Sequence, residues 1–270
     1  MGNRHSELHT MLQDLKLSAM AAQCSQLALK AAKEGLSHEA FLHELARLEC
    51  EQRTQRRRDR YLQQSKLPRE KTFHSFRLER LSLPLRLQME RLKSGLFVEN
   101  SHNAIFVGPP GTGKSHLAAA LGHELIRAGH PVFWSSTVAL VQRLLSAKQA
   151  LRLPQEIARL DRFSCLILDD IGYVQQDHDE MDVLFTLLAE RYERRSLIIT
   201  TNLVFSAWDR IFKDPMTTLA AVDRVVHHAA IVDMTGVESF RVQQAREEQL
   251  EKSPAGEVSA EAAVASSSRA

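Results

Sequence analysis

Eight consecutive residues have the composition and spacing of a phosphate-binding loop. They match the pattern G-x-x-x-x-G-K-[ST] at every fixed position. The loop consists of Gly108, Pro109, Pro110, Gly111, Thr112, Gly113, Lys114 and Ser115. An apolar run at 104–107 precedes it and a helix-forming run at 117–121 follows it, which is the order strand, loop, helix that the motif needs. This context disfavours an accidental glycine-rich turn and predicts a nucleoside triphosphate site, with His116 among its contacts.

Each residue type in the loop suits phosphate chemistry. Glycines let the backbone turn tightly, so that successive N–H groups point at phosphate oxygens beside a helix N-terminus. Lys114 is expected to neutralise the β- and γ-phosphates, and the hydroxyl of Ser115 is expected to hold Mg²⁺.

Two acidic residues follow a second apolar run, at residues 165–168. A buried parallel strand there would deliver both carboxylates to the carboxyl edge of a sheet, where α/β folds bind ligands. Asp169 is the candidate Mg²⁺ partner, and Asp170 the candidate base for the attacking water. The alternative is a pair of acids that opens a surface turn before Gly172.

A third apolar run, at residues 196–199, ends in Thr200, Thr201 and Asn202. If this strand lies beside the acidic one, the Asn202 amide would reach the γ-phosphate or the attacking water as a polar sensor. An equally simple interpretation is that Asn202 caps the next helix.

Basic residues crowd into the segment before the phosphate-binding loop, although the net charge of the chain is only +2. Such a cluster could neutralise nucleic-acid phosphates, and a few basic residues near the sheet could extend it. The candidate DNA contacts are Arg53, Arg56, Arg57, Arg58, Arg60, Lys66, Arg69, Lys148 and Arg152. The alternative is a solvated helix face, balanced by Glu44, Glu49, Glu51 and Asp59.

Length and composition fit a globular enzyme. The chain has 270 residues, of which 44% are hydrophobic, so it can bury a sizeable core. We expect a soluble protein of the bacterial cytoplasm, without membrane contact, because no run approaches a transmembrane span or a signal segment. The three cysteines are far apart and indicate neither disulfides nor a zinc ribbon. Adjacent His227 and His228 have no acidic neighbour in the sequence, so no protein-bound metal beyond Mg²⁺ is predicted.

The predicted fold is α/β: a P-loop NTPase core with a parallel sheet flanked by helices, preceded by a small all-helical N-terminal domain. Helical periodicity occupies residues 1–66, with a break at Gly35 and a new start at Ser37. A linker and leading helix follow at 67–102 and the ATPase domain at 103–242. The polar tail, 243–270, is expected to be disordered.

Several less generic stretches accompany these motifs. The chain resembles the IstB-like ATP-binding proteins, which assist the transposase of bacterial insertion sequences and are related to the DnaC and DnaA branch of AAA+ ATPases. Besides the phosphate-binding loop and residues 166–172 and 198–202, the likeness rests on residues 71–76, Trp208 with Phe212, residues 221–227 and residues 238–241.

The resemblance implies roles for two arginines. Arg224 matches the arginine that completes the active site of a neighbouring subunit, and Arg241 resembles a second sensor that reads the γ-phosphate in its own subunit. Many AAA+ proteins carry Asp-Glu where this chain has Asp169 and Asp170, whereas the IstB and DnaC branch uses two aspartates. The chain departs from many AAA+ proteins in one more respect, because no substantial helical lid follows Arg241.

Taken together, the motifs and the resemblance imply an ATPase that binds ATP and Mg²⁺ between subunits and forms a homo-oligomer on duplex DNA. It would help a transposase encoded by the same element to select or engage target DNA. Three alternatives remain open: a replicative helicase loader of the DnaC type, a nucleotide-gated scaffold that hardly hydrolyses ATP, and a small-metabolite kinase.

Overall fold

The computed structural model describes residues 2–173, 178–208 and 215–240. These ranges contain ten α-helices and five β-strands. Arg241 and the tail predicted at 243–270 lie outside the described residues, as does Phe212.

Three helices form the N-terminal region: α1 (Gly2–Asp14), α2 (Ser18–Glu34) and α3 (His38–Ser65). Gly35 ends α2 with a left-handed φ of 66°, which glycine adopts without strain. Ser37 then caps α3, because its hydroxyl accepts a hydrogen bond of 3.2 Å from the N–H of Ala40. The helices predicted here, and the break between them, are confirmed.

A buried carboxylate fastens α2 to α3. Glu49 of α3 is only 3% exposed and accepts hydrogen bonds from the N–H groups of Ala19 at 2.8 Å and Met20 at 3.3 Å. Arg53 adds an ion pair at 2.8 Å. Burial raises the pKa of Glu49, but the bonds from Arg53, Ala19 and Met20 outweigh it, so the pKa lies below the usual glutamate value.

A linker with a single 3₁₀ turn at Leu78–Arg80 leads to α4 (Leu83–Lys93) and the one-turn helix α5 (Leu96–Glu99). The helix that the sequence predicts around residues 85–92 is α4. Gly95 separates α4 from α5 with a left-handed φ of 79°.

The core is one parallel sheet of five strands in the order β2-β3-β4-β1-β5. The strands are β1 (Asn103–Val107), β2 (Val132–Ser136), β3 (Cys165–Asp169), β4 (Ser196–Thr201) and β5 (Ala229–Asp233). The accompanying helices are α6 (Lys114–Arg127), α7 (Thr137–Gln149), α8 (Leu153–Leu160), α9 (His178–Arg191) and α10 (Pro215–Val226). The predicted fold class is therefore confirmed.

Helices cover both faces of the sheet, which explains why the middle of each inner strand is apolar. Alternate residues of β1 enter two different cores: Ile105 packs with helices α7 and α9, while Phe106 packs with helices α4 and α6. Strands β1, β3 and β4 are fully buried except at Asp169.

Strand order decides where the chemistry gathers. Because β4 lies between β1 and β3, the phosphate-binding loop after β1, the acids at the end of β3 and the polar end of β4 meet at one edge of the sheet. None of the helices in the described ranges is long and apolar enough to span a membrane.

Candidate functional site

The phosphate-binding loop connects β1 to the first turn of α6, which begins at Lys114. Gly111 and Gly113 have left-handed φ values of 84° and 94°. At Gly113 a Cβ atom would also lie 2.6 Å from the ring of Phe76, so no other residue fits there without displacement. The Lys114 ammonium group donates to the carbonyl of Pro109 at 2.8 Å, which holds it over the loop.

Thr200, which the sequence did not predict as a site residue, connects the two acids to β4. Thr200 donates from its hydroxyl to Oδ1 of Asp169 at 2.6 Å and accepts the N–H of Asp170 at 2.8 Å. The hydroxyl of Thr137 donates to the backbone carbonyl of Asp169 at 3.1 Å. Both acids are thus positioned by hydrogen bonds from neighbouring elements. The register of β3 with β4 pairs Leu168 with Ile199, so Thr200 follows directly beside Asp169.

Asp170 has the geometry and the electrostatics of a proton acceptor. Its φ of 63° is unusual for a residue other than glycine and directs it away from the strand. Burial and the neighbouring charge of Asp169 raise the pKa of Asp170, whereas Lys114 lowers it to a smaller extent. A raised pKa makes the carboxylate a stronger base toward water.

Asn202 lies beside this pair and does not cap the next helix. That short turn, Phe205–Ala207, begins after Val204, with no side-chain cap. The amide Oδ1 of Asn202 is buried and finds no hydrogen-bond partner in the part of the chain that the structure describes, and a Cβ on Gly172 would come within 2.5 Å of it. A buried polar atom left without a partner is one that a ligand or a water can satisfy.

These residues line a cleft of about 630 Å³, which lies within the usual range for small-molecule sites. Its walls include Pro110, Gly111, Gly113, Lys114, Ser115, His116, Asp170, Thr200 and Asn202, joined by Lys71, Ser75, Phe76, Arg77, Arg80 and Phe240. Asp169 reaches the cleft through Thr200 and is not itself part of the wall. The predicted loop, base and sensor are therefore brought together.

An aromatic flank of the cleft was missed by sequence reasoning. The ring of Phe76 lies 4.9 Å from that of Phe240 and 5.2 Å from that of His116. The N–H of Phe240 donates to the carbonyl of Gly111 at 2.9 Å, and the Arg80 guanidinium lies 4.8 Å from the Phe240 ring. The flank fastens residue 240, the neighbour of the predicted sensor Arg241, to the phosphate-binding loop.

His116 connects the phosphate-binding loop to residues 72–75 of the linker that precedes the sheet. Its Nε2 lies 2.9 Å from the carbonyl oxygen of Thr72 and 3.2 Å from the hydroxyl of Ser75. Thr112 strengthens the loop itself, since its hydroxyl donates to the carbonyl of Pro109 at 3.0 Å.

Arg224 lies on α10 and does not line the cleft of its own chain. Its guanidinium lies 4.8 Å from the ring centre of Phe185 on α9. Its NH1 nitrogen is buried and makes no hydrogen bond within the described residues. Arg224 thus lies outside the nucleotide cleft of its own chain.

The candidate DNA contacts divide by environment. Arg53 and Arg56 hold the N-terminal helices together, since they donate to the carbonyl of Lys16 at 2.9 Å and the hydroxyl of Ser18 at 2.8 Å. Lys148 pairs with Asp179 and Asp182 at 2.9 and 2.8 Å. These hydrogen bonds raise the pKa of Lys148. Arg58 is half-buried, and the exposed candidates are Arg57, Arg60, Lys66, Arg69 and Arg152.

Comparison with known proteins agrees with this site. A family model described as IstB-like ATP binding protein matches residues 10–248. The chain is 44% identical over 243 residues to an insertion-sequence ATP-binding protein of Sinorhizobium fredii, a match that covers 90% of this chain and 81% of the relative. It is 36% identical over 240 residues to the ATP-binding protein of insertion sequence IS21 from Pseudomonas aeruginosa, covering 89% and 90% of the two chains.

Solved structures show the same fold at low sequence identity. AMPPCP-bound DnaA from Aquifex aeolicus superposes with a TM-score of 0.53 at 20% identity, covering 69% of this chain and 57% of DnaA. DnaI superposes with a TM-score of 0.52 at 18% identity, covering 63% of this chain and 95% of DnaI.

Proposed function

The chain belongs to the IstB-like ATP-binding protein family, and from this we propose that it hydrolyses ATP as an oligomer on duplex DNA and helps a partner transposase to engage target DNA. The observation that carries the proposal is the convergence of Lys114, Asp170, Thr200 and Asn202 on one cleft at the phosphate-binding loop.

The residues that line the cleft, together with Asp169 behind Thr200, fit ATP with Mg²⁺. A hydroxyl from Ser115 and a carboxylate from Asp169 are the oxygen donors that Mg²⁺ prefers, and Mg²⁺ commonly retains waters and binds through only one or two protein groups. When bound, the ion neutralises charge that develops on the phosphate oxygens. Lys114 and the loop N–H groups hold the β- and γ-phosphates, and the buried amide of Asn202 orients the attacking water.

Asp170 accepts the proton of that water. The raised pKa of Asp170 makes its carboxylate a better general base. The hydrogen bond from its N–H to the Thr200 hydroxyl holds its backbone in the left-handed conformation. Asp170→Asn should therefore bind ATP and lose turnover. A variant that keeps both DNA-dependent assembly and transposase stimulation would instead favour a nucleotide-gated scaffold.

Arg224 is proposed to complete the site of the neighbouring subunit. Its guanidinium lies against the Phe185 ring, outside the cleft of its own chain, and a change of side-chain rotamer would present it to a phosphate oxygen of a neighbour. A guanidinium supplied across an interface stabilises the charge on the transferred phosphoryl group, and hydrolysis would then depend on assembly.

Duplex DNA is proposed to bind along the end of α3 and the linker, where Arg57, Arg60, Lys66 and Arg69 are exposed. Contacts of this kind go to phosphates, so affinity should fall steeply with salt and depend little on sequence.

The test compares ATP turnover and DNA affinity for the purified chain with and without duplex DNA. A double variant, Arg57→Gln with Arg60→Gln, should weaken DNA binding and reduce its salt slope by about 2 while leaving ATP affinity unchanged. The matched control is Arg127→Gln, an exposed arginine on α6 that pairs with Glu124 at 2.6 Å. Turnover that is indifferent to DNA, with a double variant that binds DNA normally, would contradict the proposal.

A further inference from the structure

Three side chains with metal-binding chemistry meet at the end of the sheet opposite to the nucleotide cleft. Glu193 lies in the turn between α9 and β4, and His227 and His228 occupy the turn between α10 and β5. One ligand atom from each residue lies within 4.8 Å of the others. The sequence gives His227 and His228 no acidic neighbour, but the parallel sheet brings Glu193 to within 4.0 Å of Nδ1 of His227.

Buried hydrogen bonds fix the backbone that carries these residues. Arg191, two residues before Glu193, is fully buried and donates to the carbonyls of Phe163 at 3.1 Å and Ser196 at 3.2 Å. Asn103 at the start of β1 donates from its side chain to the carbonyl of Val225 at 2.9 Å, and its N–H donates to the carbonyl of His228 at 3.0 Å. The two turns are thus held at a defined separation, as a preformed ligand set requires.

Neighbouring side chains orient both imidazoles. The ring of His102 stacks on that of His228 with centres 5.0 Å apart and an interplanar angle of 14°. The hydroxyl of Tyr192 lies 3.0 Å from Nδ1 of His227. Both contacts hold the rings in place before a metal binds. A metal at Nδ1 of His227, the atom that faces Glu193, would take the place of the hydrogen bond with Tyr192.

We propose that Glu193, His227 and His228 bind a transition-metal dication of the zinc class. Two imidazoles and one carboxylate suit Zn²⁺, whereas Mg²⁺ and Ca²⁺ prefer oxygen ligands alone. Metal–ligand bonds of about 2.0–2.2 Å in a tetrahedral site place the ligand atoms roughly 3.3–3.6 Å apart. Side-chain rotations that move each ligand atom by about 1 Å would bring the three atoms to this separation. All three side chains are exposed, so each has room for this adjustment, and water completes the fourth position.

Binding at this site would join two elements that are far apart in the sequence. The metal would bridge the turn after α9 to the carboxyl end of α10, three residues beyond Arg224. The site shares no residue with the nucleotide cleft, so metal binding and ATP hydrolysis can be measured separately.

The experiment uses the full-length chain, free of tags, nucleotide and metal. Zn²⁺ is titrated by calorimetry, and Tm is measured with and without Zn²⁺. Variants Glu193→Gln and His228→Gln each remove one ligand from an exposed position, so the core is untouched. The matched control is His43→Gln, an exposed histidine of α3, and Asp169→Asn identifies any Zn²⁺ held by the nucleotide site.

We expect one Zn²⁺ per chain at this site and a rise in Tm that His43→Gln and Asp169→Asn retain. Loss of a residue that only hydrogen-bonds a metal ligand typically weakens binding by about 10–100-fold. Glu193→Gln and His228→Gln remove a ligand itself, so each should weaken Zn²⁺ binding at least this much and reduce the rise in Tm. Zn²⁺ affinity that is unchanged in Glu193→Gln and His228→Gln, or the absence of stoichiometric binding in the parent chain, would overturn the proposal.

Discussion

Replacing Thr200 by valine keeps the shape of the side chain and removes the hydroxyl that connects Asp169 and Asp170, the two acids proposed to act in catalysis. That hydroxyl makes two bonds, at 2.6 Å to Oδ1 of Asp169 and at 2.8 Å from the N–H of Asp170, and the residue is only 1% exposed. Water cannot easily replace the lost group, so both acids lose an orienting contact.

The expected magnitude follows from the charged bond. A hydrogen bond to an ionised group contributes about 1.5–3 kcal/mol, and each 1.36 kcal/mol of lost transition-state stabilisation lowers the rate about tenfold. Thr200→Val should therefore reduce kcat for ATP by about 10–100-fold. Thr200→Ser keeps the hydroxyl and should stay within about threefold of the parent rate, since only a methyl group is lost.

The assay is steady-state ATP turnover with duplex DNA, accompanied by nucleotide affinity and Tm for each variant. Equal nucleotide affinity in Thr200→Val and Thr200→Ser would show that the loop itself is intact. If Thr200→Val turned over ATP at nearly the parent rate while Asp170→Asn was inactive, Thr200 would not be needed to position the acids.

Three further perturbations test separate parts of the structure. Gly172→Ala should lower kcat without abolishing ATP binding, because its Cβ would lie 2.5 Å from Oδ1 of Asn202 and displace that amide; unchanged turnover would contradict the role given to Asn202. Arg191→Leu should lower the free energy of unfolding by about 3–5 kcal/mol in urea, since it leaves buried carbonyls without their donor. Glu49→Gln tests the lowered pKa of Glu49. The folded state favours the ionised carboxylate, so the contribution of Glu49 to stability should be complete above pH 4.5 and should decline as the pH falls below 4.5. The difference in Tm between parent and variant should therefore narrow at low pH. A difference that stayed constant would contradict the lowered pKa.

Much of the nucleotide site could be predicted because it is local in sequence. The phosphate-binding loop contains its own glycines, lysine and serine, and Asp169 and Asp170 directly follow an apolar strand. Both the loop and the apolar strand before Asp169 can be recognised from consecutive residues alone.

The contacts that the sequence did not reveal all join distant segments. Thr200 meets Asp169 only because β4 lies beside β3, and hydrophobic periodicity does not specify strand order. The packing of Phe76 on Phe240 joins the linker before the sheet to the segment after the last strand. Charge patterning predicted a DNA contact at Arg53, but it could not show that this arginine donates to the carbonyl of Lys16.

Mixing two inactive variants tests whether ATP is hydrolysed at a site shared between subunits. Arg224→Ala keeps its own acids, and Asp170→Asn keeps its arginine, so each should be nearly inactive alone on duplex DNA. In a head-to-tail assembly formed from equal amounts, about a quarter of the sites would combine intact acids with a neighbour's arginine, and turnover should recover to about that fraction of the parent rate. Full activity of Arg224→Ala alone, or no recovery on mixing, would contradict the shared site.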